Sequence, residues 1–321
     1  MRHLADKTLH ICCMPALLTY ALLCLLAIAV FSVLPACGGP SGESSTAAAA
    51  PSSSSGATGA AYTQPSEVLI PPTSDRGIDT SGVEQGWVCA SATSASRLKF
   101  QVSSGDMTYN YDLPNDGTPA LFPINMGDGS YLFRVMQNTE GKNYVEVERA
   151  EADVTLTSEV APFLIPNQIC SYVASSDCVA KARELTSDSS NEGEAVEAIC
   201  TYVVKNVAYD KAKAAELATA TGYIPDPDET LSTGKGICFD YAALSAAMLR
   251  SMGLPAKVIT GYVGQEQLYH AWIMVYIDGT WKTASFSVTP NTWSRCDVTF
   301  ASTGATQYTG SGSSYTDRYT Y

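Results

Sequence analysis

The stretch from Glu229 to Val288 restricts the architecture most, because its patterns follow one another in a fixed order. "ETLSTGKGICFDYAALSAAMLRSMGLP" reads as a glycine-containing loop, a helix starting at or near Cys238, and a stop at Gly253 reinforced by Pro255. Strand-like "AKVITGYV", the loop "GQEQL" and the apolar strand "HAWIMVYI" come next, and Asp278 and Gly279 give a hairpin turn into "TWKTASFSV". Two helical patterns precede this block, "SSDCVAKAREL" and "NEGEAVEAICTYVVKNVAYD". The second places Val196, Ile199, Cys200, Val203 and Val207 on one face, so Cys200 reads as a core thiol. Helices followed by antiparallel strands predict an α+β domain, with helices packed on an antiparallel sheet, over 166–321.

Upstream the period is two. Short alternating runs such as "LKFQV", "SYLFRVM" and "YVEVERAEADVTL" are broken by the turn signals "PNDGTP", "MGDGS" and "TEGKN". This predicts a small all-β sandwich over 83–165. Nothing in it has the makings of a chemical site, so spacing, docking or substrate presentation is its expected role.

The N-terminus is short and basic, then carries no charge from Thr8 to Gly42. The apolar run is long enough to span a bilayer, but "LPACGG" followed by a Ser/Ala/Gly tract resembles a bacterial lipoprotein signal. The expectation is an export signal over 1–36 and lipid on Cys37. A flexible tether over 37–82 follows, too poor in large apolar residues to fold. The chain is then extracytoplasmic and anchored to the cell membrane.

The formal net charge of −13 comes with no basic stripe, which argues against nucleic acid. Of ten cysteines, Cys89, Cys170, Cys178, Cys200, Cys238 and Cys296 follow Cys37. Cys170 and Cys178 flank a Ser/Asp-rich turn, and a local bridge or two separate thiols are both open. One histidine after the leader and no paired-cysteine spacing argue against zinc. "PDPDE" (Pro225 to Glu229) lacks calcium-loop spacing and reads as a solvated acidic turn. No cofactor and no metal are expected, and the oligomeric state is not readable.

A thiol at a helix start sits where free N–H groups and the helix dipole favour the thiolate, which is how a nucleophile is placed. A buried structural cysteine is the competing reading of Cys238. Gly234 and Gly236 favour the nucleophile, since they let a substrate approach the backbone closely. Any Cys-His chemistry must use His270, the sole imidazole after His10.

Taken together, "TLSTGKGICFDYAALSAAMLRSMGLPAKVITGYV", "YHAWIMVYIDGTW" and the earlier "AICTYVVKNVAYD" resemble the transglutaminase-like family of the papain-like cysteine enzyme superfamily, over about 176–300. The resemblance implies that Cys238 is the nucleophile and His270 its base and later the acid for the leaving amine. It also implies an aspartate four residues after a tryptophan. Counting from Trp281 gives Ser285, which cannot supply the charge, whereas the same count from Trp293 gives Asp297. The expected triad is therefore Cys238, His270 and Asp297. The expected activity is thioester formation from a peptide-like amide, followed by hydrolysis. Protein cross-linking by acyl transfer and a noncatalytic cell-surface binding module are the alternatives.

Overall fold

Alternation along Leu98–Ser104 (β3) turns Leu98, Phe100 and Val102 inward, and the same period along Gly129–Asn138 (β6) buries Tyr131, Phe133 and Val135. The computed structural model describes residues 60–218, 220, 222–264, 268–277, 279–283 and 315–321. All lie in the compact unit formed by residues 54–321. With Met107–Leu113 (β4) and Tyr144–Val154 (β7), these strands form an antiparallel sheet in the order β4-β3-β6-β7. Ile78–Asp79 (β1), Trp87–Ala90 (β2) and Ala120–Pro123 (β5) form a second sheet, β1-β2-β5. One core joins the two. Phe100 of the first sheet stacks on Phe122 of the second at 4.5 Å between ring centroids, so the two sheets face each other as a β-sandwich.

The second lobe is built around one helix. Asp177–Leu185 (α1), Glu192–Asn206 (α2), Lys211–Leu217 (α3) and Pro227–Thr233 (α4) lead to Cys238–Ser251 (α5). Two short strands, Ala208–Tyr209 (β8) and Lys235–Gly236 (β9), pair in parallel. From Asp240 to Ser251 every residue of α5 is buried. A helix buried all round must be covered on every side. The helices α1, α2 and α4 pack against α5, and so do Ala256–Val263 (β10) and Leu268–Ile277 (β11). The alanines Ala242, Ala243, Ala246 and Ala247 contribute little bulk, which suits such close approach. On α2 the face read from periodicity, Val196, Ile199, Cys200, Val203 and Val207, is buried in this core. Thr280–Thr283 (β12) and Tyr315–Thr320 (β13) complete an antiparallel sheet, β12-β11-β10-β13. The expected α+β layout, helices on an antiparallel sheet preceded by a sandwich, is the one found.

Two features depart from the sequence reading. From Ala60 onward the stretch read as tether is ordered, held on the helices around Tyr62 and Gln64 and on the sandwich at β1. Tyr62 N–H donates to Ser190 O at 3.0 Å, and Glu192 N–H to Ala60 O at 3.0 Å. Gln64 Nε2 donates to Arg183 O at 2.7 Å and to Thr186 Oγ1 at 2.8 Å. Composition did not signal this, because each bond spans more than a hundred residues. The other is the segment Tyr315–Thr320, which supplies β13, and with Tyr321 it links the two cores. Thr320 N–H donates to Tyr109 Oη at 3.0 Å, Asn125 Nδ2 donates to Thr320 O at 2.6 Å, and Tyr321 packs edge-on against Tyr109. Among the described residues no helix is long and apolar enough to cross a membrane.

Arg250, near the end of α5, is 1% exposed. Its Nε, Nη1 and Nη2 donate to Ala256 O, Ile165 O and Tyr321 O, each at 2.8 Å. Replacing it with Met removes all three donors, although Tyr321 O keeps its bond from Val258 N–H at 2.9 Å. Arg250→Met should lower unfolding stability by about 3 kcal/mol or more, read from urea midpoints. Arg250→Lys should recover only part of this loss, since an ammonium lacks the planar fork.

Candidate active site

The start of α5 is set by the turn before it. Gly234, at φ 60°, ends α4 with its N–H on Thr230 O at 3.1 Å. The chain then runs as β9 alongside β8, with Ala208 N–H on Gly234 O at 2.8 Å and Asp210 N–H on Gly236 O at 2.9 Å. A Cβ at Gly236 would lie 2.6 Å from Asp240 Cβ, so only glycine fits there. Ile237 N–H donates to Asp240 Oδ2 at 2.8 Å, the return arm of a capping box. The helix therefore begins on Cys238, which is half-buried at the edge of the main core.

Asp240 is fully buried and holds three donors. Besides Ile237 N–H, Tyr223 Oη donates to its Oδ1 at 2.5 Å, and Lys213 Nζ lies 3.0 Å from its Oδ2. Lys213 also sits 4.7 Å over the Tyr223 ring. Burial would lower the Lys213 ammonium, but hydrogen bonds with Tyr223 and Asp240 outweigh it and lift it above the usual lysine value. Burial, and then donation to the Asp240 carboxylate, push the Tyr223 phenol up to about 12. Tyr209 of β8, paired with Gly236 of β9, is raised chiefly by burial.

His270 stands on the sheet beside this helix. Along β11, Ala271, Ile273, Val275 and Ile277 join the core around α5. Alternation puts His270 and Trp272 on the other face, where Trp272 packs with Ile259 and Val263. His270 is 4% exposed, with its ring near-parallel to Trp272 at 6.4 Å between centroids. Its cross-strand partner is Gly261, where a Cβ would fall 2.1 Å from Thr316 O and 2.9 Å from Trp272 Cη2. Glycine at that position lets β13 close over the Trp272 side, and Tyr315 caps Trp272 edge-on at 4.8 Å.

Cys238 and His270 thus lie on elements that pack directly together, α5 and β11. Asp297, Ser285, Asp278, Cys296 and Cys37 lie outside the described residues. Sequence reasoning missed Asp240, Lys213 and Tyr223. Their one local signal was an acidic residue at the third position of the Cys238 helix. Cys170 and Cys178, where a bridge was one of two readings, carry separate buried thiols. The acidic turn is not merely solvated, because Asp226 caps α4 by accepting Glu229 N–H at 3.0 Å and Asp228 accepts Cys178 N–H at 2.8 Å. Among the described residues no group of three or more His, Cys, Asp or Glu is arranged to hold a metal ion.

Cys238 opens the buried helix, and His270 lies on the strand packed against that helix. Residues 179–296 match the model of the Transglutaminase-like superfamily. The match includes Cys238 and His270 and stops one residue short of Asp297. An uncharacterized protein of Mycobacterium leprae is 36% identical over 76 residues, 18% of this chain and 27% of its own length. The chain thus spans about a quarter of that curated relative. A solved cysteine-protease candidate from Cytophaga hutchinsonii is 17% identical, covering 61% of this chain and 72% of its own at a TM-score of 0.33. A solved TGase is 27% identical over 37% of this chain and 34% of its own, at a TM-score of 0.30.

The Asp240 cluster has a definite pH signature. Because Lys213 is lifted above its unfolded value, the stability it contributes is fully present below the ordinary lysine pKa of about 10.4 and is lost as pH rises through the raised folded value. Lys213→Met should therefore be less stable than the parent at pH 8, and the difference should shrink above pH ~11. Chemical unfolding across that range checks this, and a gap that stays constant would remove Lys213 from the account.

Proposed function

We propose that this chain is a membrane-tethered, extracytoplasmic cysteine hydrolase acting on peptide-like amides. The observation that carries the proposal is Cys238, partly exposed as the first residue of a helix buried from Asp240 onward, inside the superfamily match, with that helix packed on the strand that bears His270. In the proposed reaction the Cys238 thiolate attacks the amide carbonyl while His270 holds the thiol proton. Collapse of the tetrahedral intermediate breaks the C–N bond, and His270 returns the proton to the departing amine, leaving a thioester on Sγ. Water, deprotonated by His270, then attacks the thioester and releases the acid and the thiol. Asp297 is assigned to orient the imidazole and stabilise its protonated form. Water is the default acceptor, and no lysine-binding feature was found in the sequence to favour transfer to an amine.

Incubating the chain with a peptide library, with and without an added primary amine, tests the reaction by mass spectrometry. Free acids in both arms support hydrolysis, and amine-capped products would assign acyl transfer instead. Cys238→Ala and His270→Gln should yield no product. Asp297→Asn should lose about two to four orders of magnitude in turnover, with Ser285→Ala far milder. Full activity of Asp297→Asn would reduce the triad to a Cys-His pair. No product from the parent, together with no iodoacetamide labelling of Cys238 in the folded chain, would favour a noncatalytic binding module.

The proposed tether rests on "LPACGG" ahead of a Ser/Ala/Gly tract. Mass spectrometry of membrane-extracted protein should find an N-terminal, lipid-bearing Cys37, and an intact Met1 start would refute the anchor.

A further inference from the structure

A cleft of about 720 Å³ separates the sandwich from the helical lobe, and neither Cys238 nor His270 lines it. Its volume lies within the range of about 300–1,000 Å³ typical of ligand sites. Three apolar side chains that line it are unusually open for their type: Val173 at 55%, Ile70 at 37% and Ile224 at 37%. They come from three separate segments, so their meeting in one cleft is a product of the fold and not of a local apolar run. Prolines from both lobes, among them Pro119 and Pro225, stiffen the walls and remove backbone donors from them.

Charge specifies what would fill the cleft. Asn167, 4% exposed, is fixed in its wall by Oδ1, which accepts from Ile169 N–H and Cys170 N–H. The charged residues lining the cleft are Asp226 and Asp228, with no cation among them. Burial acts to raise Asp228, but the hydrogen bonds from Cys178 outweigh it and keep its carboxyl below the usual value.

We propose that this cleft is a binding site for an extended peptide segment that seats aliphatic or proline side chains against Val173, Ile70 and Ile224 and places a lysine or arginine beside Asp226 and Asp228. The site acts independently of the Cys238 chemistry, as a second point of attachment for a basic, apolar peptide.

The test uses the full chain bearing Cys238→Ala, so that no bound peptide is turned over. An array of acetylated decapeptides with systematically varied positions is probed first, and the best binder is then followed by fluorescence anisotropy. Retained peptides should combine proline or aliphatic residues with lysine or arginine, and exchanging the basic residue for Glu should weaken binding by about ten-fold or more. Val173→Ser, Ile224→Ser and Asp226→Asn should each weaken it by about five-fold. Asparagine still caps α4, so the last variant removes charge without removing the helix start. Met107→Ser, at another exposed apolar position on the sandwich, should leave affinity unchanged. Retention of no peptide, a preference for acidic ones, or affinity indifferent to those three substitutions would overturn the proposal. A dimer in sedimentation that Ile224→Ser dissolves would overturn it as well, by assigning the cleft to a second copy of the chain.

Discussion

One guanidinium holds the molecule together. Arg250 is a full positive charge taken out of water, a cost that is recovered only when its donors meet well-placed acceptors. It meets them in three main-chain oxygens at the same distance, from the start of β10, from the connection between the lobes and from the residue after β13. None of these segments is close to another in sequence except Ala256, six residues on. The arrangement therefore requires the lobes, the sheet and the central helix to be in place together, which ties what would otherwise be two separable cores into one cooperative structure.

The same helix carries its second buried charge at the opposite end. Asp240 in the first turn and Arg250 in the last follow the sense of the helix dipole, acid at the N-terminus and base at the C-terminus. Between them the helix is nearly all apolar or small. Cys238 thus projects from a rod fixed at both ends, one by the Lys213–Asp240–Tyr223 cluster and the other by Arg250. The role proposed for Cys238 requires a thiol held to fractions of an ångström, and fixing the helix from both ends suits that requirement.

Much of the fold was legible because its principal elements carry strong local periods. The start of α5 at Cys238, its end before Gly253, the buried face of α2 and the alternating strands β3, β6 and β7 follow from spacing that each segment carries alone. The paired β8 and β9 are two residues each, too short to show a period. The residues around Tyr62 and Gln64 are held by bonds to distant partners, so a composition typical of a linker concealed an ordered stretch. At the site, the thiol and the imidazole were legible as rare residue types in telling positions. The buried carboxylate was not, because an aspartate near a helix start looks the same in sequence whether it caps in solvent or anchors a buried ion pair.

The participation of β13 in both cores has a consequence in time. Thr320 and Tyr109 bond across a separation of 211 residues, and Thr320 and Asn125 across 195. Contacts of such high order form late and slow the passage to the native state. A growing chain can complete its local hairpins and helices early, yet one side of β10 stays bare until residues 315–320 are made. A bare strand edge is a template for the wrong neighbour. The hazard is thus concentrated in the interval before β13 docks, and it is set by the order of synthesis and not by any weakness of the finished fold.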